Sequence, residues 1–309
     1  MARKMKKVSV VASDRFELTE ETRKVCGTTV YRIRAKKTFT TGRDGVFTIK
    51  KGELGGFVSD AGRILGNAWV SDDAVVMGRA SVGDNAVVSG TAIVRGKAVV
   101  CANAQVGGSS RVSGFANVSD YATVFGSSRV SDHAFVNGYA RILDNAQVSG
   151  NAAVAGEATV SDRAVVSDEA TVCGSARIYG NAMVMGGSWV VGNAKVCDDV
   201  RVCGPVYVHG RADLTRDAVV KSIEDFAVYL NTWSSGRYVT YTRSNGMWRA
   251  GCFHGTGEEL VAKARRDGKR SGKCYAELVK FQRRIDALRE RFPSDRERDS
   301  KEDAQPVSL

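Results

Sequence analysis

Every sixth residue from Ile64 to Val220 is Ile, Val or Leu, 27 positions without a slip. Two residues before nearly every one stands Ala or Ser, as at Ala68, Ala74, Ala80, Ala86, Ser110, Ala116, Ser128 and Ser188. A strict short period is the signature of a solenoid. In units of six the chain runs GNAWVS, DDAVVM, GRASVG, DNAVVS, GTAIVR. The Ala-x-Val alternation has the two-residue period of a strand, and Val and Ile, stiff at χ1, suit one. The Gly, Asn or Asp that opens a unit tolerates the left-handed backbone of a tight turn. Each unit is therefore a short strand plus a corner. A period of six repeats no helical face, so a helix is excluded. The unbroken repeat also leaves no room for the inserted loops that commonly build an active site.

This pattern, over roughly residues 61–220, resembles the hexapeptide repeat of left-handed parallel β-helices. The resemblance implies three units per triangular coil, with the aliphatic residue filling the interior and the small residue beside it. Nine coils result, a prism about 43 Å long at ~4.8 Å per stacked strand. The expected fold is all-β: a single-stranded left-handed parallel β-helix of about nine coils, with extra modules at both ends. Residues 1–60 read as a basic β cap, in which TTVYRIRAKK and GVFTIKKGE alternate like strands joined by a Thr/Gly turn. The segment KKGELGGFVSDAGRI then leads into the first coil. Its "GGFV" resembles the lead-in of hexapeptide-repeat proteins of enteric bacteria and their phages or prophages, which implies a phage or prophage origin.

Residues 221–292 form the expected C-terminal module. RYVTYTRSNGMWRAGCF reads as a hairpin turning at Asn245–Gly246. GTGEELVAKARRDG reads as a short helix with Thr256 as N-cap. A longer helix is expected from Gly272 to Phe292, with Leu278, Phe281, Ile285, Leu288 and Phe292 at a/d spacing. Packing on the hairpin and self-association both fit that stripe. Residues 293–309 are polar and read as a disordered tail.

Charge is unevenly placed. Residues 1–60 hold 14 basic and 7 acidic side chains, 61–220 hold 13 and 14, and 221–309 hold 18 and 13. A prism that binds nucleic acid is expected to be basic, and this one is neutral, so nucleic-acid binding through the basic ends is a lesser reading. No apolar run approaches the ~20 residues of a membrane span. The seven cysteines form no CxxC pair and read as free thiols in a reducing cytoplasm.

With three units per coil, residues 18 apart stack, and the outward positions sort into three faces. One carries Phe115, Tyr121, His133, Phe135, Tyr139, Trp189 and Tyr207. The others are more polar, with Arg141, Arg177 and Lys195 on one and Arg111, Arg129 and Arg201 on the next. A contiguous apolar patch marks an interface. The resemblance implies a homotrimer of side-by-side prisms, for which this face is the expected interface. A site for a small planar ligand or a partner protein is the alternative, and scattered aromatics without a function are the third reading.

The hexapeptide family contains many acyl-CoA-dependent acyltransferases, which generally use a His as general base. The histidines are His133, His209 and His254. His254, near Glu258 and Glu259, is the weak catalytic candidate; acetyl-CoA or another acyl-CoA would be the cofactor only under that alternative. No nucleophile motif, phosphate loop or dinucleotide fingerprint is present, and GTGEE lacks the Lys of a phosphate loop. Metal-dependent carbonic anhydration, another activity of the family, needs three gathered His, and His133 and His209 lie more than four coils apart, so no metal is expected. The sequence thus favours a non-catalytic solenoid scaffold, a homo-oligomer whose outside partner is a host protein or a small signalling molecule. No cofactor and no membrane are expected.

Overall fold

The computed structural model describes residues 14–292; the expected disordered tail and the first thirteen residues lie outside them. The chain divides into two compact units, one ending at Ile223 and the other beginning at Glu224.

The first unit opens with strands β1 (Phe16–Val25), β2 (Thr28–Ala35), β3 (Phe39–Thr41), β4 (Phe47–Ile49) and β5 (Leu54–Val58). Twenty-six two-residue strands, β6 (Trp69–Val70) to β31 (Val219–Val220), follow at six-residue intervals. They stack in parallel, each on the strand 18 residues away, and form the three faces of a β-solenoid of about nine turns. One face holds Val75, Ile93, Arg111, Arg129 and Gln147 in register. The second holds Val99, Asn117, Phe135 and Ala153. The third holds Thr123, Arg141, Thr159, Arg177 and Lys195. The strand residues fall on the faces expected from the 18-residue spacing, whereas Phe115, Tyr121, His133 and Tyr139, expected on the second face, stand in the turns at its corners.

The interior is the expected one too. Each aliphatic residue from Val70 to Val220 is fully buried, and so is the Ala column. Where Ser110, Ser128 and Ser188 replace Ala, each hydroxyl donates to the carbonyl three residues earlier, at 2.7–2.8 Å. A buried hydroxyl left unpaired would cost roughly 1–3 kcal/mol, so local pairing is what admits Ser here. The ladder between coils is regular: Val75 N–H donates to the Ala92 carbonyl and Met77 N–H to that of Val94, and the pattern repeats coil after coil.

The corners hold more order than the sequence showed. Every sixth residue from Gly66 to Arg216, 26 positions, has positive φ. Gly fills sixteen of them and Asp eight, with Ala102 and Arg216 as the remainder. Asn, expected there as well, instead takes the next position, where Asn67, Asn85 and Asn103 bond in a ladder at 3.0 and 3.3 Å. The eight Asp residues do more than tolerate the left-handed turn. Each carboxylate accepts the backbone N–H of the corner one coil ahead, as Asp72 does from Gly90 (2.8 Å) and Asp198 from Arg216 (2.8 Å). A corner Asp thus combines left-handed backbone with a charge-assisted clamp on the following coil.

The N-terminal segment continues the prism. β1, β2 and β5 pair antiparallel to one another, and β5 then pairs parallel with Val75–Val76, extending one face. The expected joining of TTVYRIRAKK to GVFTIKKGE is corrected by this pairing: β2 lies between β1 and β5, while β4 pairs with β3. The Thr/Gly turn is itself a small hairpin, which separates the two segments. Gly55 and Gly56 explain the lead-in motif. A Cβ on Gly55 would lie 2.5 Å from the Val70 carbonyl oxygen, and one on Gly56 2.5 Å from that of Ala74. Phe57 beside them is roofed by the guanidinium groups of Arg23 and Arg32, 3.9 and 4.9 Å from the ring centre, and both arginines also reach Asp73.

The second unit is a four-stranded antiparallel sheet, β32 (Phe226–Leu230), β33 (Tyr238–Thr242), β34 (Met247–Ala250) and β35 (Phe253–Gly255), followed by α1 (Gly257–Asp267) and α2 (Lys269–Arg291). The hairpin turns at Asn245–Gly246 as expected, and Thr256 and Glu259 form a reciprocal capping box on α1. The core is Val239, Tyr241, Trp248, Leu260, Ala264, Tyr275 and Val279. The packed face of α2 is Gly272, Tyr275, Val279 and Gln282. The a/d stripe lies beside it: Leu278 packs at the edge of the core, while Phe281, Leu288 and Phe292 are at least half exposed.

Candidate functional site

The second prism face is where the sequence places its aromatic residues, and the geometry sorts them into three groups. Phe135 stands in the middle of the face, in register with Asn117 and Ala153. Phe115 and His133 lie at one corner, one coil apart, and their rings stack at 4.7 Å and 9°. Tyr121 and Tyr139 do the same at the opposite corner, at 4.8 Å and 4°. Stacking follows from the 18-residue repeat, which superimposes like positions at the rung spacing. Trp189 and Tyr207 form the third group, with ring centres 6.4 Å apart, and His209 joins Tyr207 at 5.5 Å. Ala153 and Thr171 separate this group from Phe135 along the face. Phe115, Phe135, Tyr139, Trp189 and Tyr207 are each about half exposed, between 48 and 50 %.

Both corner stacks carry a cation. Lys97, one coil before Phe115, holds its ammonium 4.5 Å from the Phe115 ring centre. Arg43 lies over both tyrosines, at 5.1 and 5.4 Å. It comes from the turn between β3 and β4. That hairpin is pinned to the prism by Gly42 N–H and the Thr41 hydroxyl, which both donate to the Asn85 carbonyl, at 2.9 and 3.3 Å, and by Phe39 set edge-on to the buried Trp69. Gly42 has φ of +78°, and a Cβ there would lie 2.5 Å from the Phe47 ring. Sequence reasoning missed Arg43, because nothing periodic ties residues 39–49 to a coil.

Beyond Arg43 the corner opens into a groove of about 410 Å³ that runs onto the third face. Arg43, Tyr121, Tyr139, Arg141 and Arg177 line it, and so does Glu157, which accepts the Ser175 hydroxyl at 3.1 Å. The groove therefore mixes charges. Cys101 reads as a resting thiol: burial pushes its pKa up, and the nearby Asp84 and Asp120 carboxylates push the same way. A thiol held protonated is a poor nucleophile.

In the second unit His254 sits half-buried in the middle of β35, opposite Arg249. Glu259 accepts the Thr256 N–H at 2.8 Å, and Glu258 pairs with Arg283. A cavity of about 280 Å³ lies in this unit, lined by Asn231, Arg237, Cys252, Lys263 and Tyr275 among others. The Asn231 amide donates to the Tyr275 hydroxyl at 2.8 Å, which fixes one wall. Among the described residues no group of three or more His, Cys, Asp or Glu is placed to hold a metal ion, and no helix is long and apolar enough to cross a membrane.

Residues 176–192, a stretch just short of one coil, match a family model described as "YdcK Beta solenoid repeat". That stretch spans Arg177, Met183 and Trp189, one outward residue from each face. No curated protein matches the chain.

Proposed function

We propose that the chain is a non-catalytic binding protein, a rigid β-solenoid of the hexapeptide-repeat type whose aromatic face is its contact surface. The first partner is a second and third copy of itself, prisms side by side in a homotrimer. One observation carries this reading: five large aromatic side chains stand half exposed on and beside a single flat face. Exposed apolar patches of this kind mark interfaces, and rings held in stacked columns lose little conformational freedom on docking. The corners support the non-catalytic part. From Gly66 to Arg216 they keep the period without an insertion, so no loop from within the repeat overhangs the face, and the β3–β4 hairpin reaches only its Tyr121–Tyr139 corner. The outside partner, a host protein or a small molecule, would use the groove beside Arg43.

Light scattering on wild type and Phe135→Asp tests the interface. Wild type is expected as a trimer and the variant as a monomer; a monomeric wild type would overturn the reading. Calorimetry with acetyl-CoA tests the absence of acyl transfer. No saturable heat is expected, and binding at micromolar concentration would favour an acyltransferase working between subunits.

A further inference from the structure

The first prism face carries a feature that the aromatic surface does not use. Arg95, Arg111 and Arg129 line one small groove of about 130 Å³, together with Ser113, Ser131 and Ser149. Arg111 and Arg129 are direct partners on neighbouring strands, about 4.8 Å apart along the stack. Like charges placed directly opposite on a sheet destabilise it; Arg177 and Lys195 are also direct partners on the third face, but there carboxylates stand beside them. The cations of the third face share their grooves with Glu157 and Asp162, and Arg23 and Arg32 meet Asp73. The groove of Arg95, Arg111 and Arg129 has no carboxylate in its lining. The Asp132 carboxylate, at the adjoining corner, is taken up by the Ser131 hydroxyl and the Gly150 N–H, at 3.2 and 3.1 Å. Arg95 also donates to the Cys26 sulfur at 3.9 Å, and no carboxylate among the described residues pairs with it.

Three guanidinium groups, the Ser113 and Ser149 hydroxyls and no carboxylate in the lining form a site for an anion with several acceptor oxygens. Guanidinium forks match phosphate oxygens two at a time, and serine hydroxyls donate to the same oxygens. Arginines on successive rungs offer one fork per phosphate to phosphates joined in a row. We propose that this groove binds the linked phosphates of a small phosphorylated molecule, which would relieve the stacked positive charge of Arg111 and Arg129.

Inorganic tripolyphosphate is the first probe, followed by calorimetry and thermal melting on the full-length chain. Saturable binding and a raised melting temperature are expected for wild type. Arg111→Gln and Arg129→Gln should each weaken binding roughly tenfold or more and remove most of the thermal shift. Gln is safe for the fold, because Gln147 already occupies the next rung of the same column. Arg201→Gln, on the same face but four rungs beyond Arg129, should bind like wild type. ATP in a parallel titration separates the sources: tighter binding than tripolyphosphate assigns the phosphates to a nucleotide, and equal binding assigns them to the phosphate chain alone. The proposal fails if tripolyphosphate gives no saturable binding, if the two variants bind as tightly as wild type, or if only a single-stranded RNA binds.

Discussion

The prism and the C-terminal unit solve the same problem in opposite ways. In the prism every coil buries the same Val and Ala columns, and the coils hold one another through backbone bonds and corner carboxylates. Among the described residues no aromatic ring stands in those columns. The C-terminal unit has no repeat. Its core is built from single-copy large residues, Tyr241, Trp248, Leu260, Tyr275 and Val279. Side-chain bonds tie sheet to helix: Asn231 to Tyr275 and Tyr241 to Asp286, both at 2.8 Å, and Tyr229 to Gln282. In the first region a residue's place in the six-residue unit decides what is tolerated. In the second each residue has its own partner, and position alone says little.

Substitutions can break this comparison at different strengths. The largest effect is expected from Val136→Asp, which puts an unpaired carboxylate into the dry interior of a middle coil. The loss should be about 4–5 kcal/mol or more, seen as collapse of the sheet signal in circular dichroism; an unchanged melting midpoint would mean the interior takes up water. Trp248→Ala comes next, at about 3–5 kcal/mol for a deleted buried aromatic. In hydrogen exchange the amides of α1 and α2 should lose protection while those of residues 66–220 keep it. Equal loss in both would show one cooperative body where the core chemistry suggests two.

Asp120 sharpens the role of the corners. Asp120→Ala keeps the left-handed backbone strained, at roughly 1–2 kcal/mol, and also removes the bond from Gly138 N–H, 2.9 Å in this structure. Asp120→Gly removes only the bond. The alanine variant should therefore melt lower than the glycine variant, and the reverse order would show that glycine's extra freedom in the unfolded chain outweighs the strain at this corner.

The gentlest test is alkaline pH. Burial pushes the Tyr241 phenol well above its ordinary value, and its hydrogen bond to Asp286 pushes further the same way; burial also raises Tyr229 and Tyr275. At a pH below the free-tyrosine value of ~10 these phenols are neutral whether the chain is folded or not, and their contribution is fully present. Above it the unfolded tyrosines ionise while the folded ones stay protonated, so stability falls as pH rises. The helix signal of the C-terminal unit should therefore be lost at a lower pH than the strand signal of the prism.

Much of the fold was legible in the residues, because a solenoid writes its interior at fixed intervals. Ile64 to Val220 named the core, and the 18-residue spacing placed Phe135, Arg111 and Arg141 on their separate faces. The corners were half legible. Gly and Asp signalled left-handed backbone, but nothing in the letters said that the Asp side chains reach one coil forward. The candidate site was legible in composition and less so in layout. Phe115 and Tyr121 read as neighbours of Phe135, yet they flank it at opposite corners, since two outward positions per unit belong to the turn. Arg43 was invisible, because its partners Tyr121 and Tyr139 lie far along the chain and no period links them. In α2 the heptad spacing of Leu278 to Phe292 marks a stripe that lies beside the packed face. The packed face is set by Tyr275, Val279 and Gln282, whose mixed polarity hides their burial.

The repeat runs on two clocks. The interior returns every six residues, whereas the outer surface returns only every eighteen. An insertion of one unit would leave the core, the corners and the ladder undisturbed and would turn every later side chain onto the next face. Trp189 and Tyr207 would leave the column of Phe135, and Arg177 and Lys195 would leave that of Arg141. An insertion of a whole coil would lengthen the prism and restore every alignment. A lineage of such chains can therefore trade length freely in steps of eighteen, while a step of six keeps the fold and erases the surface.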